Sequence, residues 1–140
     1  MVYLIDSNII IYSMKGNKNV QDGFLRNEMI PKFISIITYA ELLYGAKKSE
    51  QIEKNCAKVY RIKDLFPIIP IDIPIIEVFS GIKSKYRKVG IVIDDFDLLI
   101  AATAITHNQI LVTNNIKHFE PIKELNIENW ITKLPLPEAG

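Results

Sequence analysis

Short apolar runs alternate along this chain with longer stretches in which apolar residues recur at helical spacing. Residues 2–5, 33–37 and 110–113 are apolar and rich in β-branched side chains, which predicts buried strands. Apolar residues three or four positions apart predict helices over 51–66 and 75–86. Strands that alternate with helices are typical of βαβ units and a mostly parallel sheet. We therefore predict an α/β fold.

The remaining elements are shorter or interrupted. Residues 38–45 predict a helix, and residues 98–104 are apolar almost all round, which predicts a well-buried helix. Residues 15–19 predict a loop. Residues 66–73 are apolar but broken by prolines, which predicts a short edge strand because proline cannot donate to the ladder. Residues 129–132 predict a last short strand.

Polar side chains stand at the points where strand-like runs give way to helix-like stretches. They are Asp6, Glu41, Asp97 and Asn115. The carboxyl ends of parallel strands meet at one edge of a sheet, so these side chains are expected to lie together. Three carboxylates and a carboxamide would repel one another unless a cation sat between them. Oxygen ligands suit Mg²⁺ or Mn²⁺, so the pattern indicates metal-dependent phosphodiester chemistry.

Each position also has a simpler interpretation. Asp6 is suited to cap a short helix over 9–14. Glu41 completes a T-x-x-E capping box with Thr38, in which its carboxylate would bond to the Thr38 amide. Asn115 is a common turn residue after a strand. These interpretations stay open for single residues, whereas the recurrence at several strand ends favours a shared site.

Acidic residues crowd the start of the apolar helix. Asp94, Asp95 and Asp97 precede it, and the helix dipole favours negative charge there by about 0.3–1 kcal/mol each. That effect is sufficient to explain Asp94. Asp97 differs because the residues after it are almost entirely apolar. Its carboxylate is therefore expected to be desolvated and to need a partner.

The composition limits the classes of protein. The 140 residues fit one domain, 1–140, and 49% of them are apolar, which suffices for a core. The net charge of +1 indicates no general affinity for nucleic acid, so RNA contacts must come from local clusters. One basic cluster precedes the acidic block and could follow an RNA backbone, with a solvated helix face as the alternative. It consists of Lys83, Lys85, Arg87 and Lys88.

Cysteine usage and the N-terminal sequence indicate the compartment. Cys56 is the single cysteine, which excludes an internal disulfide and a thiolate cluster, and its place in a helical pattern predicts burial. Asp6 interrupts the N-terminal apolar run, so no secretory signal is expected. No apolar stretch approaches the roughly 20 residues that span a bilayer. We expect a cytoplasmic protein without membrane contact.

Several sequence blocks, taken together, resemble the PIN-domain family and in particular its VapC toxin ribonucleases. The motif D-[ST]-N after the first strand matches residues 6–8, and T-x-x-E-L-x-x-G matches residues 38–45. The motif D-x-D-x-L-I-A-A matches residues 95–102, and V-T-[RN]-[DN]-x-x-x-F matches residues 112–119. No block is specific alone, but all of them in this order make a strong match over nearly the whole chain.

The resemblance implies a three-layer α/β/α fold and a ribonuclease that uses Mg²⁺, with Mn²⁺ as an alternative. It assigns the metal-binding carboxylates to Asp6, Glu41 and Asp97. The family's fourth acidic position falls on Asn115, which brings an amide oxygen but no charge. Asp95, two residues before Asp97, is the candidate to compensate as a ligand.

The implied mechanism is hydrolysis by metal-activated water. Asp97 or Glu41 would orient the attacking water. Nearby polar side chains would support a water or a phosphate oxygen: Ser7, Asn8 and Thr113. The histidines, His107 and His118, lie in no cluster of candidate residues, so a ribonuclease mechanism through paired histidines is not expected.

The resemblance also implies partners. Relatives pair with a small antitoxin of the VapB kind, act on RNA and commonly form homodimers. Leu42, Leu43 and Tyr44 are candidates for such a contact, with burial in the core as the alternative. Because the fourth acidic position is neutral, a PIN-like module that binds RNA or protein without cutting is the second hypothesis. A phosphoacceptor domain ranks last, since no acidic pair follows the first strand.

Overall fold

The computed structural model describes residues 1–132, which fold around a sheet of parallel strands. The strands in chain order are β1 (Tyr3–Ile5), β2 (Lys32–Ser35), β3 (Ile68–Ile69), β4 (Ile110–Val112) and β5 (Ile127–Glu128). Their order across the five-stranded sheet is β3-β2-β1-β4-β5. This arrangement confirms the predicted α/β fold and places the proline-flanked β3 at an edge. The end of the predicted domain, 1–140, lies outside the described residues.

Helices separate successive strands, as a parallel sheet requires. Within residues 1–132 they are α1 (Ser7–Met14), α2 (Lys18–Arg26), α3 (Ile36–Lys47), α4 (Ile52–Leu65), α5 (Ile73–Lys88), α6 (Asp95–Thr106) and α7 (Ile116–Phe119). The predicted helices over 51–66, 75–86 and 98–104 are confirmed as α4, α5 and α6. In this part of the chain, no helix combines the length and the apolar character needed to cross a bilayer.

Helices cover both faces of the sheet and give the three-layer α/β/α arrangement. On one face, Leu4 and Leu111 pack against the apolar sides of α5 and α6. On the other face, Ile5 and Val112 pack with residues of α1 to α4, among them the buried Cys56. Successive residues of a strand point to opposite faces, so the apolar runs of β1 and β4 are buried on both sides.

The register of the central strands brings the ends of β1 and β4 together. Ile5 is paired with Val112, and the next amide, that of Asp6, donates to the Val112 carbonyl at 2.9 Å. The amide of Thr113 donates to the Glu128 carbonyl at 2.9 Å. Asp6 and Thr113 therefore leave the sheet side by side at its carboxyl edge, where open α/β sheets bind ligands.

Helix α2 occupies part of the segment that was predicted as a loop. The predicted loop 15–19 ends early because Lys18 already begins the helix. The side-chain oxygen of Asn17 accepts a hydrogen bond from the Val20 amide at 3.1 Å and caps α2. An asparagine cap is a usual start signal, and it competed here with the nearby glycine that favoured a loop.

The last strand lies earlier than predicted. It spans Ile127–Glu128 rather than residues 129–132. Trp130 instead turns into the core, where it is only 3% exposed, and its ring meets that of Tyr3 edge-on at a centroid distance of 5.2 Å. The burial of this large aromatic ring decides the path of the chain after β5.

Candidate functional site

Asp6 occupies the first turn after β1 and is almost fully buried. Its Oδ1 accepts a hydrogen bond from the Ser7 amide at 2.8 Å. Its Oδ2 accepts from the side-chain Nδ2 of Asn8 at 3.0 Å and from the Thr113 hydroxyl at 2.8 Å. Burial raises the pKa of Asp6, and these donors oppose the shift. Asp6 therefore caps α1, as one interpretation had it, and is also held rigidly at the sheet edge.

Asn8 and Thr113 connect the loop after β4 to Asp6. The side-chain oxygen of Asn8 accepts from the Asn114 amide at 2.8 Å. The Thr113 hydroxyl accepts from the Asn115 amide at 3.0 Å while it donates to Asp6. The predicted supporting residues thus tie two separate strand exits into one hydrogen-bonded unit, which fixes the orientation of the Asp6 carboxylate.

Glu41 lies in the second turn of α3 and takes no part in capping. The helix begins at Ile36, and its cap is Ser35, whose hydroxyl accepts from the Ile37 amide at 3.0 Å. Thr38 is therefore an interior helical residue, fully buried. The capping-box interpretation of Glu41 is wrong because β2 ends and α3 begins before Thr38.

One oxygen of the Glu41 carboxylate is left without a partner in the described residues, close to other acidic groups. Its Oε1 is buried and has no hydrogen-bond partner in the described residues. Burial, followed by the charges of Asp6, Asp97 and Asp94, raises the pKa of Glu41 to about 7, and the neighbouring Ser7 side chain opposes this shift. A buried carboxylate surrounded by other carboxylates is unstable as an anion unless a cation compensates it.

Asp97 projects from the first turn of α6 toward the same region. Its side chain is 17% exposed, and Nδ1 of His118 lies 3.2 Å from its Oδ2. Burial raises the pKa of Asp97, the His118 ring lowers it, and the charges of Asp94 and Asp6 raise it further. The charge of Asp6 therefore acts on both Asp97 and Glu41, and the charge of Asp97 acts on Glu41. Asp97 reaches this region from the loop after α5, so the prediction that it follows a strand is wrong.

Asp94 and Asp95 take different positions. The Asp94 carboxylate caps α6 by accepting from the amides of Phe96 and Asp97, at 3.0 and 3.3 Å. It also contributes to the raised pKa values of Glu41 and Asp97. Asp95, the predicted substitute for a fourth acid, instead pairs with Lys83 at 2.9 Å on the surface. Of these neighbouring acids, Asp94 rather than Asp95 is the one whose charge raises the pKa values of Glu41 and Asp97.

The predicted basic cluster on α5 is divided by ion pairs. Lys83 is bound to Asp95, and Lys85 pairs with Glu124 at 2.5 Å. Arg87 and Lys88 are exposed at the end of α5. Residues 89–94 connect them to the start of α6, so these positive charges lie only a few residues before Asp94 and Asp97 in the sequence.

Asn115 and His118 sit on the short helix that follows β4. Asn115 is exposed, and its side chain makes no cap hydrogen bond to α7. His118 lies three residues further on and contacts Asp97, so the expectation that both histidines stand apart from the candidate site is wrong for His118. Asn115 is the N-cap residue of α7, whereas His118 lies within that helix.

The predicted contact surface on α3 is only partly exposed. Leu42 is 5% exposed and belongs to the core, whereas Tyr44 is 66% exposed.

A cavity of about 390 Å³ between α1, α3 and α4 reaches Glu41. A second cavity, of about 280 Å³, opens beside Asp97 and is lined also by Lys117 and His118. Glu41 and Asp97 thus each line a cavity, whereas Asp6 lines neither.

The donor set of the site fits a hard cation. Within residues 1–132 no three histidine, cysteine, aspartate or glutamate side chains already stand at metal-ligand spacing. The charges of Asp6 and Asp97 nevertheless raise the pKa of Glu41, and that of Asp6 raises the pKa of Asp97, while the Glu41 Oε1 lacks a donor within the same residues. Carboxylate oxygens in this state suit Mg²⁺ or Mn²⁺, which favour oxygen ligands and charge neutralisation.

The sequence is similar to a known domain family and to named relatives. The sequence model of the PIN domain matches residues 3–124. Ribonuclease VapC2 of Rickettsia felis is 36% identical over 93% of this chain and 98% of its own length. The tRNA(fMet)-specific endonuclease VapC of Shigella flexneri is 30% identical over 91% of this chain and 97% of its own.

Solved structures agree in fold. The chain superposes on the crystal structure of VapBC2 from Rickettsia felis bound to a promoter DNA fragment with a TM-score of 0.86 and 33% identity, covering 93% of this chain and 99% of that one. The DNA-bound VapBC of Salmonella typhimurium gives a TM-score of 0.85 and 29% identity, over 93% and 98% of the two chains.

Proposed function

This chain belongs to the PIN-domain family, alongside the VapC ribonucleases, and we propose that it is an endoribonuclease dependent on Mg²⁺, with Mn²⁺ as a substitute. The observation that carries the proposal is the buried Glu41 Oε1, which finds no donor among residues 1–132 and lies close enough to Asp6 and Asp97 for their charges to raise its pKa. A divalent cation is the partner that would stabilise all of these carboxylates together.

In this proposal Asp6, Glu41 and Asp97 hold the cation, and Asn115 offers a neutral amide oxygen nearby. When bound, the cation lowers the pKa of a water molecule and polarises the scissile phosphate. The donors to Asp6 fix the orientation of its carboxylate, so Asp6 would set where the cation binds. The Glu41 Oε1 has no such donor in the part of the chain that the structure describes, so it is the atom that would accept a hydrogen bond from the attacking water.

The decisive experiment compares RNA cleavage by wild-type protein and Asp97→Asn, with Mg²⁺ and with a chelator. We expect cleavage only with Mg²⁺ and its loss in Asp97→Asn. Asp64→Asn is the matched control, since Asp64 is an exposed residue of α4 and the same charge is removed. Cleavage that persists in the chelator, or in folded Asp97→Asn, would contradict the assignment. Mn²⁺ binding without cleavage of any RNA would favour the second hypothesis, a binding module.

We further propose that the chain is the toxin of a VapBC-type pair, that it forms a homodimer and that it acts in the cytoplasm. The similarity to VapC chains solved within VapBC assemblies supports a VapB-like antitoxin. Expression of this chain alone should halt growth, and co-expression of the adjacent small gene product should restore it. Sequencing of RNA ends after brief induction would identify the substrate. Growth that is unaffected by the wild-type chain would count against the toxin assignment.

A further inference from the structure

His118 is the side chain through which α7 reaches the acidic site. Its Nδ1 lies 3.2 Å from Oδ2 of Asp97, within hydrogen-bonding distance. The ring is 58% exposed, whereas the Asp97 side chain is 17% exposed. The contact therefore joins an exposed ring on α7 to a carboxylate that is largely shielded from water.

The chemistry of the pair fixes which atom does what. An ionised carboxylate only accepts hydrogen bonds, so a hydrogen bond in this contact requires Nδ1 of His118 to carry the hydrogen. In residues 1–132, His118 is the only side chain in polar contact with the Asp97 carboxylate, whereas the Asp6 carboxylate is held by Asn8, Thr113 and the Ser7 amide. The orientation of Asp97 therefore depends on His118 far more than that of Asp6 depends on any one donor.

We propose that His118 is a positioning residue, which engages Oδ2 of Asp97 and holds Oδ1 ready for the divalent cation. The inference rests on the proposed function, because Asp97 must be a ligand for its orientation to matter. Partners that hydrogen-bond to metal ligands set their direction and their affinity for the metal. At the end of β4 this chain carries the neutral Asn115, so α7 contributes to the site through His118 rather than through a fourth acid.

Substitutions at His118 can separate a positioning role from a structural one. In His118→Asn the side-chain nitrogen stands near the place of Nδ1, whereas in His118→Gln it reaches further, toward the place of Nε2. His118→Ala removes both donors. His107→Ala is the control, since His107 is the exposed C-cap residue of α6. The high exposure of His118 means that these variants should fold, which circular dichroism checks directly.

The readouts are the Mn²⁺ dissociation constant, from calorimetric titration without RNA, and kcat and KM for RNA cleavage. We expect His118→Ala to weaken Mn²⁺ binding by about 10–100-fold, the range seen when partners of metal ligands are removed. His118→Asn should recover most of the affinity, His118→Gln should not, and His107→Ala should match wild type. The loss in cleavage should appear in kcat at saturating RNA and shrink as Mn²⁺ is raised.

Equal Mn²⁺ affinity in wild type and His118→Ala would overturn the inference, and so would recovery by His118→Gln but not by His118→Asn. If wild type binds Mn²⁺ and cleaves RNA while His118→Ala is unchanged, only this inference fails. If wild type binds no Mn²⁺ and its cleavage ignores chelators, the proposed function fails and the inference fails with it.

Discussion

Thr113 donates its hydroxyl hydrogen to Oδ2 of Asp6 across 2.8 Å, and this bond joins the ends of two neighbouring strands. Both residues are buried, so the bond is shielded from water. The same hydroxyl accepts from the Asn115 amide, which ties the start of α7 to the buried acid. The hydroxyl of one threonine thus aligns residues that come from opposite ends of the chain.

Thr113→Val should destabilise the protein because it removes this donor without changing the shape of the side chain. The change removes one of the two donors to Oδ2 of Asp6 and the acceptor of the Asn115 amide. A buried polar group that loses its partner costs about 1–3 kcal/mol. Thr113→Ser keeps the hydroxyl and should lose much less. Urea unfolding measures the difference. Thr103→Val is the comparison, since the Thr103 hydroxyl bonds only to the Leu99 carbonyl within α6; an equal effect of the two valine variants would contradict a special role for the Asp6 contact.

The stability of the metal-free protein should fall as pH rises from about 4.5 to about 7, the ordinary and the folded pKa of Glu41. Between these values the folded state binds more protons than the unfolded state, so raising the pH favours unfolding. Asp6 and Asp97, whose pKa values are also raised, act in the same direction at the acidic end. Denaturant midpoints measured across this range in a chelating buffer check the slope.

Glu41→Gln should remove a large part of that decline because glutamine does not ionise. Saturating Mg²⁺ should also remove it in the wild type, since a cation stabilises the ionised carboxylates. In Glu41→Gln the added Mg²⁺ should stabilise less. A wild-type midpoint that rises with pH between 4.5 and 7 in the chelator would show that Glu41 is not held in its protonated form.

Part of the site was predictable from the sequence. Apolar runs located β1, β2 and β4, and parallel strands share one edge at their carboxyl ends, so Asp6 and Glu41 were expected near that edge. Asp97 was placed there by the same argument, but that premise is wrong, because Asp97 follows α5 and a loop rather than a strand. The start of α3 was not predictable, because Ser35 and Thr38 are both good caps and only the packing of the sheet decides between them. A cap at Thr38 would have made Glu41 a capping residue. The cap at Ser35 instead places Glu41 in the second turn of α3, where its carboxylate is free of that role.

Contacts between distant elements account for what the sequence did not reveal. His118 meets Asp97 because α7 lies against α6, which no local pattern records. Asp95 and Asp94 are neighbours of similar propensity, and the position of Lys83 on α5 determines that Asp95 turns outward. The late path of the chain depends on the pocket for Trp130, which is formed by residues far away in sequence.

Gly23→Ala should destabilise the protein although alanine favours helices. A Cβ at Gly23 would stand 2.8 Å from Cδ2 of Trp130, a buried ring that cannot move away freely. Overpacking of this kind costs about 1–3 kcal/mol, against a gain of up to about 1 kcal/mol from helix propensity. Gly81→Ala in α5 is the control, since nothing lies within 4 Å of the added Cβ, and it should stabilise. Thermal unfolding of both variants tests this, and a stabilised Gly23→Ala would show that Trp130 yields.

Arg87 and Lys88 should supply part of the RNA affinity, because the other predicted basic residues, Lys83 and Lys85, are held in ion pairs. For single-stranded RNA, each phosphate contact changes the slope of log K against log salt by about 0.7. The double variant Arg87→Ala/Lys88→Ala should therefore bind RNA more weakly and with a slope shallower by about 0.7–1.4. Filter binding in a chelator, without cleavage, measures both quantities. Lys54→Ala/Arg61→Ala on α4 removes the same charge from exposed positions of another helix. If that control lowers the affinity and the slope equally, the contribution is one of overall charge, and the end of α5 is not an RNA contact.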